Sequence, residues 1–201
     1  MKRFAVHSLA WAIPLLAACA HATQPEASIP AASMPAAGIA LREPRPGLFS
    51  AGQPAPTDWQ AIHARGVGTV VNLRTPEEMR GRHEAVEVRA AGMRYVSIPV
   101  AGMDGVDDAN ADALREALRN AQGAVLVHCA SGNRAVGLLA LEQARSGGMP
   151  PEEALAFGRS AGMTGTEARV RSLLERGDAR CRLASSDASA TGGSAKPERC
   201  P

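Results

Sequence analysis

Four kinds of feature are scarce in this chain, and each scarcity closes a door. Among 201 residues the formal net charge is only +2, too small to argue for a nucleic-acid partner. No apolar run is long enough to read as a confident membrane span; the stretch from Phe4 to Leu16 is the nearest and is short. The five histidines are scattered, so no metal-ligand cluster is visible and no cofactor is implied. Aromatic residues make up 3% of a chain that is 45% hydrophobic, which suits one globular domain with polar appendages.

The chain is organised around Val125-Leu126-Val127-His128-Cys129-Ala130-Ser131-Gly132-Asn133-Arg134. Three aliphatic residues ending in His-Cys predict a buried strand that delivers Cys129 to its C-terminal edge. A short loop of small residues follows, and then a helix pattern through Leu138, Leu139 and Leu141. Strand, loop and helix start form an anion cradle, because loop N–H groups and the positive end of the helix dipole converge there. A thiol held at that point is pushed towards the nucleophilic thiolate. Arg134 adds a forked pair of donors, and Gly132 lets the backbone approach the anion. Ser131 and Asn133 are expected only to shape the loop.

Around this centre, strand-like and helix-like segments alternate from about Gly47. Leu48–Ala51, Gly68–Arg74 and Arg94–Val100 read as strands. Thr57-Asp58-Trp59-Gln60 is a capping-box pattern for a first helix that stops at Gly66. Thr75-Pro76-Glu77-Glu78 is another, for a helix running to Gly92. A third helix is expected from about Asp108 to Ala121, the helix through Leu138 is the fourth, a fifth opens at Pro150-Pro151, and Thr166 caps a sixth. The predicted fold is α/β, with a mostly parallel central sheet flanked by helices. Ligands in such sheets sit at the carboxyl ends of the strands, where Cys129 falls. Asn72 and Arg74 are read as structural, and Arg80, Arg82 and His83 as a solvated helix face.

A Cys and an Arg bracketing an anion-binding loop resemble the signature of cysteine-dependent phosphatases. That superfamily usually separates the two by five residues, whereas here there are four. Four is usual in rhodanese-like sulfurtransferases and in the beta-lactamase-hydrolase-like group of dual-specificity-type phosphatases. The flanking segments Ser50-Ala51-Gly52-Gln53-Pro54, Asn72-Leu73-Arg74 and Ser97-Ile98-Pro99 are similar to that phosphatase group, over residues 47–145.

The resemblance implies hydrolysis of a phosphorylated substrate, with Cys129 as nucleophile and Arg134 and the N–H groups of Ala130, Ser131, Gly132, Asn133 and Arg134 on the phosphoryl oxygens. It places the general acid in the loop after the Ile-Pro strand. Asp104 is the candidate, with Asp107 and Asp108 as rivals that also suit a helix N-cap. His128 either hydrogen-bonds the loop backbone, favouring the thiolate, or packs at the strand end. A hydroxyl residue commonly follows the Arg in these families, and here Ala135 stands in its place. Sulfur transfer through a persulfide and a non-catalytic anion-binding role stay open.

The ends read as appendages. Lys2 and Arg3 precede the apolar stretch, and Leu16-Ala17-Ala18-Cys19 resembles a bacterial lipobox. That implies a signal peptide over 1–18, lipidation of Cys19 and anchorage to the envelope; simple secretion with cleavage after Ala22 is the alternative. Residues 19–46, rich in Ala and Pro, are expected to be a disordered tether, 47–180 the domain and 181–201 a disordered tail. In an oxidising compartment Cys181 and Cys200 are free to pair.

Overall fold

The structure is a computed structural model, in which residues 38–190 are described, with side chains to residue 183. Its sheet has five strands: β1 (Arg42–Arg45), β2 (Leu48–Ala51), β3 (Val67–Asn72), β4 (Arg94–Ser97) and β5 (Ala124–His128). They lie in the order β1-β2-β5-β3-β4. β1 runs antiparallel to β2, and every other pairing is parallel. The expected mostly parallel α/β sandwich is therefore what the chain forms.

The helices are α1 (Trp59–Ala64), α2 (Glu84–Ala90), α3 (Asp108–Arg119), α4 (Asn133–Ser146), α5 (Pro151–Ser160) and α6 (Glu167–Ala190). Strand alternation divides the core between the two faces of the sheet. Val71, Val125 and Val127 join Leu114, Leu138, Leu155 and Leu174 on the side of α3 to α6. Phe49, Val70 and Leu126 join Trp59, Ile62 and Val88 on the side of α1 and α2. β5 lies between β2 and β3, which is why its apolar run is continuous rather than alternating. Every residue of α4 from Arg134 to Ala144 is buried, because α3, α5 and α6 pack round it. Cys129 thus follows a strand that is buried from Val125 to His128, and Arg134 stands in the enclosed first turn of α4.

Several local expectations are corrected. Residues 42–45 form an edge strand rather than tether, with Ile39 and Leu41 packed on the core. Arg-Glu-Pro-Arg carries no apolar alternation, and its proline is tolerated only because the strand is at an edge. The 75–92 segment is not one helix. Thr75 and Glu78 do make the reciprocal capping bonds, but these close a turn over residues 76–81, and α2 starts at Glu84.

At the first helix, Asp58 caps a 3-10 turn by accepting from the Ala55 N–H, so Thr57 is not the cap. Thr166 does not cap α6 with its hydroxyl, which donates to the carbonyl of Asn133. α6 continues to Ala190, past the boundary expected at 180. Residues 1–37 and 191–201, including Cys19, the signal peptide and Cys200, lie outside the described residues. Cys181 is disulfide-bonded and Cys129 is a free thiol.

Gly68 holds β3 against the turn before β5: a Cβ there would stand 2.2 Å from the carbonyl oxygen of Gln122. That neighbour is backbone and cannot rotate away. Gly68→Ala should therefore destabilise the domain by about 1–3 kcal/mol. The check is a lower urea midpoint with unchanged slope.

Candidate active site

The site is assembled at the carboxyl ends of β2, β3 and β5. The His128 carbonyl accepts from the Leu73 N–H at 2.9 Å, and the Ala130 carbonyl from the Gln53 N–H at 3.1 Å. These bonds lash the loop to both neighbouring strands. Cys129 is 1% exposed, and its Sγ accepts the Gly132 N–H at 3.1 Å. Gly132 has φ +94°, and a Cβ there would meet Ala51 backbone at 3.4 Å, so glycine is required. α4 begins at the next residue and directs its N-terminus at the loop.

Arg134 is fixed before any substrate arrives. Its Nη1 donates to Glu78 Oε2 at 2.8 Å and to the Val100 carbonyl at 2.6 Å, and its Nη2 to Glu78 Oε1 at 2.6 Å. A guanidinium has five N–H donors. Three are used in this way, and the pair left over, Nε–H with the second Nη2–H, forms one edge of the fork. The hydrogen bond to Glu78 raises the Arg134 pKa further above its usual value, burial opposes this, and the Cys129 charge adds to it. The same hydrogen bond holds Glu78 down at about 2, against burial and with help from the Thr75 N–H and the charges of Arg134 and Arg74.

A second layer supports the first. Arg74 donates to Gln53 Oε1 at 2.7 Å and to the Glu78 carbonyl. The Gln53 amide donates to Glu84 Oε2, and Glu84 Oε1 pairs with His128 Nε2 at 2.9 Å. His128 and Glu84 are both buried, and Trp59 packs its ring edge-on to the imidazole with centroids 6.2 Å apart. Neither reading of His128 is complete. Its side chain does not bond the loop backbone; Nε2 is held by a carboxylate and Nδ1 has no partner among the described residues.

Glu78, Glu84 and Gln53 were not singled out as functional residues in the sequence. Glu78 read as a cap and Glu84 drew no reading of its own, and no spacing rule joins either to a residue more than forty positions away. Arg82 does not simply face solvent, since it pairs with Glu87 at 2.8 Å.

The three aspartates separate cleanly. Asp107 accepts the Asn110 N–H at 2.8 Å and caps α3. Asp108 pairs with Arg145 at 2.8 Å. Asp104 is exposed in the turn after β4, and its carboxylate has no hydrogen bond or ion pair among the described residues. The turn itself is tied to α6, because Arg169 donates to the carbonyls of Asp104 and Val106. A cavity of about 580 Å³ lies over Arg134, with Glu78, Met103 and Asn133 in its wall. Asp104 follows Met103 in the chain but does not itself line the cavity.

A parallel-sheet sandwich with a thiol and a guanidinium bracketing an anion cradle is the architecture of the cysteine-phosphatase class. Residues 40–146, just over half of the chain, match the model of the family described as beta-lactamase hydrolase-like protein, phosphatase-like domain, and the chain belongs to that family. It is 34% identical over 119 residues to the beta-lactamase hydrolase-like protein of Xylella fastidiosa, covering 57% of this chain and 27% of that one. The chain thus spans about a quarter of the length of that relative.

Among solved structures, a Shewanella putrefaciens protein classed with the phosphatases shares 26% identity at TM-score 0.54, covering 69% of this chain and 93% of that one. TpbA of P. aeruginosa, solved in complex with pTyr, shares 22% identity at TM-score 0.53, covering 70% and 89%. The second likeness is one of fold.

The Glu78 pairing has a pH signature. Its folded pKa of about 2 lies below the ordinary 4.5, so its stabilisation is complete above 4.5 and lost as pH falls through 2. Glu78→Gln should be less stable than the natural chain at neutral pH and show a shallower loss of stability between pH 4.5 and 2. Urea midpoints across that range measure both.

Proposed function

We propose that the chain is a cysteine-dependent phosphatase that hydrolyses phosphomonoesters, of the protein-tyrosine or dual-specificity type, through a phosphocysteine. The observation that carries this reading is the state of Arg134. Glu78 and Val100 hold its far edge, leaving the Nε–Nη2 edge as a two-donor fork beside the thiol cradle. Such a fork fits two oxygens of a phosphoryl group.

Cys129 Sγ attacks phosphorus in line with the ester oxygen; the S–P bond forms as the P–O bond breaks. The N–H groups of Ala130 to Arg134 and the Arg134 fork hold the equatorial oxygens, which carry more charge in the transition state. Asp104, the one candidate carboxylate without a structural partner, gives its proton to the leaving oxygen and then receives one from the attacking water. A persulfide on Cys129 would use the same cradle and need no acid, so the four-residue loop keeps sulfur transfer as the second reading.

The test compares phosphate release from an aryl phosphate with sulfur transfer from thiosulfate to cyanide, using the full chain under reducing conditions. Cys129→Ser should abolish phosphate release, and Asp104→Asn should lower kcat on the order of a hundredfold, most strongly for substrates with poor leaving groups. Sulfur transfer without phosphate release would reject the proposal.

We also propose that the chain is exported and anchored in the bacterial envelope, facing the periplasm, by lipid on Cys19. Lys2 and Arg3, the short apolar stretch and Leu16–Cys19 support this. The mature protein should begin at Cys19 with a fatty-acyl mass that Cys19→Ser removes; a mature N-terminus after Ala22 would show secretion instead.

A further inference from the structure

Asn133 is the last loop residue before Arg134, and its carboxamide is pinned in one orientation. Its Oδ1 accepts from the Thr164 N–H at 3.0 Å, the Thr164 hydroxyl at 2.9 Å and the Gly165 N–H at 2.9 Å. Two of these donors are backbone amides, which can only donate, so the oxygen and not the nitrogen faces them. The NH2 group is left with no partner among the described residues. Asn133 nevertheless forms part of the wall of the cavity over Arg134.

The other polar groups of that wall are committed or loose. Glu78 is bound to Arg134, Thr75 exchanges bonds with Glu78, and Ser131 is exposed at the mouth. No hydroxyl comes from the position after Arg134, since Ala135 is buried in the core. The hydroxyl of Thr166, the residue before α6, is spent on the Asn133 carbonyl. The wall of this cavity therefore holds a neutral double donor of fixed orientation, beside anion-binding donors already supplied by the loop and Arg134.

We infer that Asn133 is a catalytic residue whose carboxamide NH2 holds the water that hydrolyses the phosphocysteine. The inference rests on the phosphatase reading above. One N–H donates to one lone pair of the water, and the other lone pair faces phosphorus. As the O–P bond forms, the water proton passes to the Asp104 carboxylate. The P–S bond breaks, its electron pair returns to Sγ, and thiolate and inorganic phosphate result. Orientation of this kind accelerates the second step without affecting the first.

The experiment measures phosphoenzyme formation and decay by rapid quench with an aryl phosphate, on the full chain. Asn133→Asp keeps the oxygen that Thr164 and Gly165 bind but loses the NH2, and Asn133→Ala loses both. Both should slow phosphoenzyme decay on the order of tenfold, the effect of one hydrogen bond, and raise the burst towards one phosphate per Cys129. In Asn133→Ala, kcat/KM, which reports the first step, should fall less than the decay rate does.

Thr164→Ala, which leaves both backbone donors and the NH2, should decay at the natural rate. Decay of the Asn133→Asp phosphoenzyme at the natural rate would overturn the inference, as would equal losses of kcat and kcat/KM in Asn133→Ala, which would mean that Asn133 only shapes the loop. If the natural chain forms no Cys129-dependent phosphoenzyme at all, the phosphatase reading itself falls and takes this inference with it.

Discussion

The forked ion pair between Glu78 and Arg134 joins three segments that sequence keeps far apart: the turn after β3, the start of α4 and, through Val100, the end of β4. Without the carboxylate, a guanidinium that is mostly buried would be left with one carbonyl and the thiolate, and charges left unpaired in a protein are costly. With it, the side chain has one arrangement. Two-point pairing on one edge dictates where the opposite edge lies, which matters more here than the stability such a pair adds. A partly exposed ion pair contributes little net stability, but it sets geometry.

Beneath that pair, the buried couple of Glu84 and His128 does similar work for the nucleophile. Residue 128 is the last of β5 and is bonded to both neighbours by register, opposite Ala51 and Asn72. Its imidazole cannot move without breaking the Glu84 contact, and Glu84 is in turn held by Gln53, which Arg74 also engages. Arg74 touches Glu78 as well. The two pairs therefore belong to one polar network running under the loop, in which each member limits the rotamers of the next. A rigid backing of this sort is what keeps a cradle of N–H groups open when nothing occupies it.

How much of this could be read from the chain depended on distance in sequence. The strand-loop-helix around Cys129 is contiguous, and its apolar periods, its Gly132 and its Arg134 all have local physical meanings, so the centre of the site was legible. The layered fold followed from alternating periods in the same way. Glu78, Glu84 and Gln53 were not, because the partners that place them in the site lie 21 to 56 positions away and a carboxylate at a helix start has a sufficient local explanation. β1 was missed for the opposite reason: an edge strand of Arg-Glu-Pro-Arg buries little, so it leaves no apolar pattern. The three aspartates show the limit in small. Their order along the loop was visible, but only the capping bond of Asp107 and the ion pair of Asp108 leave Asp104 as the unoccupied one.

The same geometry bears on a difficulty that an exported cysteine enzyme would face, since a nucleophilic sulfur in an oxidising compartment is a target for disulfide exchange. Exchange needs another sulfur to approach Sγ in line, with its protein or peptide behind it. Cys129 is 1% exposed at the floor of a loop, so a bulky thiol cannot reach it in line. Cys181, by contrast, sits in the second half of the long C-terminal helix and is disulfide-bonded. Small oxidants are not excluded by this shielding, and sulfenic acid formation is the route left open. Burial therefore selects by size rather than by chemistry. The depth that refuses a protein thiol is set by the lashings of the loop to β2 and β3, not by the cysteine itself.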